Sequence, residues 1–400
     1  MRSEGDDALV RFGHEFDRAT SLTKDALKVS EAEFDAAFGA VDEPVIEAIR
    51  FGISNIRRFH EEQVPEPMWL KEIRPGAFAG DRYTPINSVA LYVPRGKGSF
   101  PSVTMMTSVP GVVAGVPHLA ILTPPGPDGK VDAATLVAAR IAGVETVYKV
   151  GGAQAVAAVA FGTETVRKAQ KILGPGSPWV VAAKRLLAGV IDPGLPAGPS
   201  EAIILADETV SGGLAALDLL IEAEHGPDSS AWLVTCSERV VQEALAALPG
   251  LWDKMTPQRA DFSRTVLTGR SGGIILAESM EDACNFVNDY APEHLEILST
   301  RPFEYLGAIT EAAEILLGTH TPISIANFAL GPNAVLPTSR GAGTYGPLAV
   351  TDFIRRSSVG YVTRKGYPDL AAAARVLGTY EGFSSHVNAV SDLREVFLQA

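Results

Sequence analysis

Residues 89–123, VALYVPRGKGSFPSVTMMTSVPGVVAGVPHLAILT, set the pattern of the chain: a five-residue apolar run, a turn rich in Gly and Pro, a longer stretch, then a second short apolar run. Apolar runs of this length bounded by turn residues read as buried strands, and the longer stretches between them as helices. The alternation continues with VYKVG (147–151) and AIILA (202–206). It resumes with AWLVT (231–235), GGIIL (272–276), HLEIL (294–298) and EILLG (314–318). Between the two sets lies the apolar helix GGLAALDLLIEAEHG (212–226), with Ser211 in place to cap it. Strands alternating with helices at this spacing predict parallel α/β units in two sets, so the fold class is α/β.

Outward from this centre the chain changes character. Ala8, Leu9, Phe12 and Phe16 recur at helical intervals, as do Val45, Ile46, Ile49, Phe51, Ile53 and Ile56 with looser phase, so the first sixty residues are expected to be helical. Residues 330–347 shift to Gly, Pro, Asn and Thr without a period. Helix signals return from Thr351 and end in VSDLREVFLQA, which reads as an appended tail.

Composition bounds the function. The 400 residues carry 34 Lys plus Arg against 47 Asp plus Glu, a net charge of −13 whose field repels nucleic acid and anionic lipid. At 46% hydrophobic and 20% charged residues the chain can bury substantial cores. Cys236 and Cys284 are too few for a disulfide framework or a four-thiolate zinc site; both are expected to be core thiols in a reducing cytoplasm. The charged start is neither a signal peptide nor an anchor, and no run reaches the ~20 apolar residues of a membrane span.

Short motifs mostly fail. No GxGxxG follows a candidate strand, and Gly96-Lys97-Gly98 lacks the Ser or Thr that a phosphate loop places after its Lys. AGPSE (197–201) has Glu201 and then Ala202 where a nucleophile elbow needs a second Gly. Three polar groups survive. Glu222 and His225, three apart on one helix face, have metal-ligand spacing, and Gly226-Pro227 stops the helix directly after the imidazole, which can meet a ligand or cap carbonyls. Glu293 and His294 stand between Pro292 and a hydrophobic strand, and His386 lies beside a Gly-interrupted stretch. Taken singly, each reads as an ordinary surface or capping residue.

Taken together, the blocks RSEGDDALVRFGHEFDR, ALYVPRGKGSFPS, KVGGAQAVAAVAFGTETV, KILGPGSPWVVAAKR, LPAGPSEAIILADE, EAEHGPDSSAWLVT, APEHLEI, LGPNAVLPT and YEGFSSHVNAV occur in an order that resembles the histidinol dehydrogenase family over nearly the whole chain. The resemblance implies an NAD-linked enzyme that oxidises a primary alcohol through the aldehyde to the carboxylate, using zinc to orient the substrate. It further implies a homodimer of two incomplete Rossmann-like domains, with a C-terminal tail completing the partner's site. The expected division is a discontinuous domain of residues 1–91 plus 201–345, an inserted cofactor domain of residues 92–200, and a tail of residues 346–400.

By the same resemblance, Glu293 activates the water that attacks the aldehyde and His294 is the general base for the alcohol. Tyr92 and Gln154 match cofactor-contacting positions, and Ser177 stands where the family has Asn. Ser200 and Glu381 match substrate-contacting positions. His225 and His386 match two zinc ligands. The other two have exchanged chemistry, with Glu222 for a family Gln and Asn327 for a family Asp, which conserves one carboxylate and one amide. Ile323 replaces a family Glu and Ala334 a family His, removing acidic and imidazole partners from the substrate positions. The default substrate is L-histidinol. The alternatives are a less cationic alcohol, such as a sulfonated or hydroxy-acid diol, and a catalytically silent dimeric binding protein.

Overall fold

The computed structural model describes residues 1–95 and 98–398, so the pair at 96–97, weighed above as part of a phosphate loop, lies outside the described residues. In chain order the strands are β1 (Met68–Arg74), β2 (Ala77–Pro85), β3 (Ser88–Tyr92), β4 (His118–Thr123), β5 (Thr146–Lys149), β6 (Lys171–Leu173), β7 (Glu201–Ala206), β8 (Ser230–Thr235), β9 (Gly272–Leu276), β10 (His294–Leu298), β11 (Glu314–Leu317) and β12 (Ile354–Val362). The runs read as strands from sequence are strands within a residue or two at each end. The expected N-terminal helices are present at Gly5–Phe16, Glu31–Ala40 and Glu43–Glu61.

Residues 1–64 and 86–353 form one compact unit containing two parallel sheets. The first has the order β5-β4-β3-β6 and the second β11-β10-β7-β8-β9. In each, the first strand of the set lies inside the sheet and a later strand returns to its other side, which makes a topological switch point between β3 and β6 and between β7 and β10. Both faces of these strands are buried, hence the near-continuous Val, Ile, Leu and Ala runs. Separate apolar clusters cover each face. Ser211 caps the helix Gly212–Ala223 as expected, accepting from the Leu214 N–H at 3.2 Å.

Residues 65–85 and 354 onward form a second compact unit. Its sheet has the order β1-β2-β12, antiparallel throughout, and the helices Tyr367–Tyr380, Ser384–Ala389 and Asp392–Leu398 follow. This differs from the expected division in three respects. Residues 65–85, placed above with the body, pair with the tail; residues 346–353, placed above with the tail, belong to the first unit; and the C-terminal part of the second unit opens with a strand rather than a helix. The β1 side chains are exposed on both faces, so no apolar alternation announces the strand. The other expected boundary, at 91/92, would cut β3, which runs through Tyr92. Cys284 is buried as expected, but Cys236 is only partly so.

Gly174, just after β6, has φ +103°, and a Cβ there would stand 2.2 Å from the Tyr92 carbonyl oxygen. The β3/β6 switch point therefore closes only around a glycine. Gly174→Ala should lower stability by about 1–3 kcal/mol in urea unfolding, with the loss confined to the first unit.

Candidate active site

At the β3/β6 switch point, Tyr92 ends β3 and is buried, and its hydroxyl accepts from the Gly152 N–H at 3.0 Å. Burial pushes the Tyr92 phenol up to about 12, so it stays neutral. Gly152 opens the helix that carries the buried Gln154, and Ser177 directly precedes the helix Pro178–Leu186 after the Gly174–Gly176 turn. Thus the three expected cofactor residues lie beyond the carboxyl ends of the strands, where open parallel sheets bind nucleotides. In the second sheet that position is filled. Asp207, directly after β7, accepts from Ser299 Oγ at 2.5 Å, Tyr305 hydroxyl at 3.0 Å, and Thr209 Oγ1 and N–H at 2.5 and 2.8 Å.

The polar residues of the second sheet gather instead at the amino ends of its strands. His294 begins β10, and parallel register sets it opposite Ala202 of β7 on one side and Glu314 of β11 on the other. Glu293 precedes the strand, which frees it from the alternation that would turn it to the opposite face. It follows Pro292 and Ala291, whose φ of +54° closes the helix Met280–Tyr290. Glu293 Oε2 accepts from the Glu201 N–H at 2.9 Å, and His294 Nδ1 lies 2.6 Å from Glu314 Oε2. Glu293 is 7% exposed and His294 3%.

The helix after β7 runs back across the sheet and ends at Ala223, two residues earlier than the Gly226-Pro227 stop implies, so its last turn delivers Glu222 and the bend after it delivers His225 to the same edge. His225 Nδ1 is 3.0 Å from both Ser200 Oγ and Glu222 Oε2, and Asn327 Nδ2 donates to Glu222 Oε1 at 2.9 Å. A π-turn over Ala326–Leu330 carries Asn327. Ser200, Glu222, His225, Asn327, Glu293 and His294 therefore share one edge. Ile323, by contrast, is fully buried in an apolar cluster, and Ala334 packs against another. Glu381 and His386 are exposed residues of the second unit, described by itself; the His386 ring lies 5.1 Å from that of Phe383.

Desolvation governs the electrostatics. Burial pushes the Glu293 carboxyl up to about 8, with the charges of Glu222 and Glu201 adding to the rise against the pull of His294 and of the Glu201 N–H. Burial alone would lower His294, but the Glu314 bond and the charges of Glu222 and Glu293 prevail and raise it to about 10. For Glu222 burial is outweighed by His225, His294, Asn327 and Ser200, which hold its carboxyl below the ordinary range. Glu314 was not singled out from sequence. Its signal was a lone acid opening an apolar strand, and only the register shows that it faces His294.

Glu222 Oε2 is buried without a hydrogen-bond donor although His225 Nδ1 is 3.0 Å away. A carboxylate, an imidazole and an amide converging on an unfilled acceptor fit a zinc ion as a partial ligand set. Among the described residues, no three His, Cys, Asp or Glu side chains cluster as a metal site.

A buried acid–imidazole pair beside a partial metal set at one edge of a parallel sheet, with a nucleotide-type switch point in the other sheet, defines an α/β oxidoreductase. The model of the histidinol dehydrogenase family matches residues 1–394. The chain belongs to that family, whose members are NAD-dependent oxidoreductases that use NAD and zinc. It is 76% identical over all of its length, and 90% of the relative's, to a histidinol dehydrogenase homolog of Cereibacter sphaeroides. It is 48% identical to the histidinol dehydrogenase of Synechocystis sp., covering 98% of this chain and 90% of that protein. The crystal structure of histidinol dehydrogenase from Elizabethkingia anophelis superposes with a TM-score of 0.93 at 33% identity, over 99% of this chain and 89% of that one. Among the described residues, no helix is long and apolar enough to cross a membrane.

An acid that stands at about 8 when folded, against a reference value of 4.5, keeps a proton that the unfolded chain releases. Stability should therefore fall as pH rises from about 4.5 to 8. Glu293→Gln in metal-stripped protein should flatten that fall in urea unfolding, matching the parent near pH 4.5 and exceeding it near pH 8.5.

Proposed function

We propose that this enzyme oxidises a small polar primary alcohol through the aldehyde to the carboxylate, with L-histidinol as the default substrate. The observation that carries the reading is the desolvated Glu293–His294 pair sharing one sheet edge with Ser200, His225, Glu222 and Asn327. His294 takes the hydroxyl proton of the alcohol at Nε2, because Nδ1 faces Glu314; the carboxylates of Glu222, Glu293 and Glu314 favour its protonated form, so it works as a base in the neutral form, which a cation held at Glu222 would favour. Glu293 takes a proton from the water that adds to the aldehyde, and its elevation toward neutrality suits a base working near pH 8. Ser200 orients the substrate. Tyr92, Gln154 and Ser177 would hold NAD, which accepts a hydride in each oxidation when bound. Glu222, His225 and Asn327, with His386 of the partner subunit, would hold zinc, which when bound orients and polarises the alcohol oxygen.

A second reading, oxidation of a less cationic alcohol such as a sulfonated or hydroxy-acid diol, is favoured by Ile323 and Ala334. Both are packed in apolar surroundings and offer no partner to an ammonium or an imidazolium. A buried cation left unpaired costs several kcal/mol. Monitoring NAD reduction with L-histidinol, other amino alcohols and anionic diols decides between them. Turnover of L-histidinol above the rest supports the default, turnover of an anionic diol the second reading, and no NAD reduction with any alcohol sinks both.

We also propose a homodimer in which Glu381 of the partner subunit and His386 of the partner subunit complete each site. The second unit exposes Val376, Leu377, Tyr380, Phe383, Val396 and Phe397, with Tyr380 90% exposed, a surface suited to burial against another chain. Free thiols at both cysteines suit a reducing cytoplasm.

Substitutions separate the assigned roles. His294→Asn should slow alcohol oxidation by about 10²- to 10⁴-fold. Glu293→Gln should spare alcohol-to-aldehyde oxidation and slow aldehyde-to-acid oxidation, read by supplying each substrate separately; equal damage to both steps removes its role. Glu222→Gln should lose bound zinc by leaving only neutral ligands, and the double change with Asn327→Asp should regain it. Metal content additive across the two changes would show that these positions do not share one ion.

A further inference from the structure

Glu314 is an unusual residue at its position. It opens β11, is 6% exposed, and continues into Ile315, Leu316 and Leu317. Of its two oxygens, Oε2 lies 2.6 Å from His294 Nδ1 and Oε1 is buried without a partner. Burying a carboxylate with half its acceptors unfilled costs stability that an aliphatic residue there would not, so the contact with His294 is its one evident return. Both residues are fixed by backbone, paired in register between adjacent parallel strands.

We propose that Glu314 is the positioning residue of the base: it accepts the Nδ1–H of His294, which fixes the ring and leaves Nε2 as the nitrogen that takes the alcohol proton. The inference rests on His294 being the base in the reading above. The balance follows directly. The alcohol O–H breaks as Nε2–H forms, the carbon gives its hydride to NAD⁺, and aldehyde, NADH and a doubly protonated His294 result. Nδ1 keeps its proton, hydrogen-bonded to Glu314, throughout.

The groups facing this pair leave the Nδ1 contact to Glu314. Glu293, next to His294, is engaged by the Glu201 N–H, and Glu222, on the helix Gly212–Ala223, by Asn327 and His225. Glu296, two residues along β10 and on the same face as His294, is kept protonated by burial and by Asp218, a residue of that same helix. A neutral carboxyl there does not compete with Glu314 for the Nδ1 proton.

The test needs a readout independent of turnover. Protein labelled with ¹⁵N-histidine should show one downfield imidazole N–H resonance from the short bond to Glu314, assigned by its loss in His294→Asn. The same resonance should vanish or move upfield in Glu314→Ala. The kcat for the alcohol step should fall about 10²-fold or more in Glu314→Ala, with KM changed less than threefold. Glu314→Gln, near-isosteric and with an amide oxygen that can still accept, should recover part of that loss, with far-UV circular dichroism confirming the fold. A His294 resonance unmoved in Glu314→Ala, or kcat within twofold of the parent in that variant, overturns the proposal. Activity surviving His294→Asn overturns instead the reading on which it rests, whatever the resonance does.

Discussion

The site depends on the register of one parallel sheet. Because β10 begins at His294, pairs residue for residue with β7 from Ala202 and with β11 from Glu314, the imidazole meets the Glu314 carboxylate, while the adjoining Glu293 takes the Glu201 N–H at the start of β7. A slip of one residue would turn His294 and Glu296 to the opposite face and carry Leu295 to the edge. The apolar residues between them, Leu295 and Ile297, are buried in a cluster of their own, so the register that positions the chemistry is the one that fills the core.

The two sheets of the first unit use opposite ends. In the four-stranded sheet, Tyr92, Gly152 and Ser177 stand at or just past the carboxyl ends of the strands, at a switch point so close-packed that only a glycine fits at 174. In the five-stranded sheet that crevice is closed by Asp207, whose carboxylate accepts four hydrogen bonds from Ser299, Tyr305 and Thr209. The reactive groups move to the amino edge, where the returning helix Gly212–Ala223 ends. A helix C-terminus carries partial negative charge, which with Glu222 favours a cation at that edge, be it an imidazolium or a metal ion.

Much of this was legible in the sequence, and what was not has physical causes. Strands buried on both faces announce themselves as VALYV or AIILA, and Ser211 announces its helix. The hairpin of β1 and β2 does not, because Trp69, Leu70 and Ile73 are exposed among charged neighbours and no face alternates. The strand β12, with Arg355, Arg356, Ser357 and Ser358 in succession, hides for the same reason. Spacing joined Glu222 to His225 across the end of one helix, but Asn327 and Glu314 reach their partners across 105 and 20 residues of sequence, which no local pattern reports. Ile323 shows the reverse case: the resemblance marked its position, and the fold buries it among Leu219, Leu220 and Ala326.

In the proposed function, a base paired with a carboxyl whose affinity for protons is raised by burial suits two successive oxidations in one place, since the first needs an imidazole nitrogen and the second an activated water. The ratio of NADH formed to alcohol consumed, measured at completion together with the carbon product, tests this most directly. Two NADH per alcohol, with the carboxylate as product, is the predicted result; one NADH per alcohol, with the aldehyde accumulating, would contradict it.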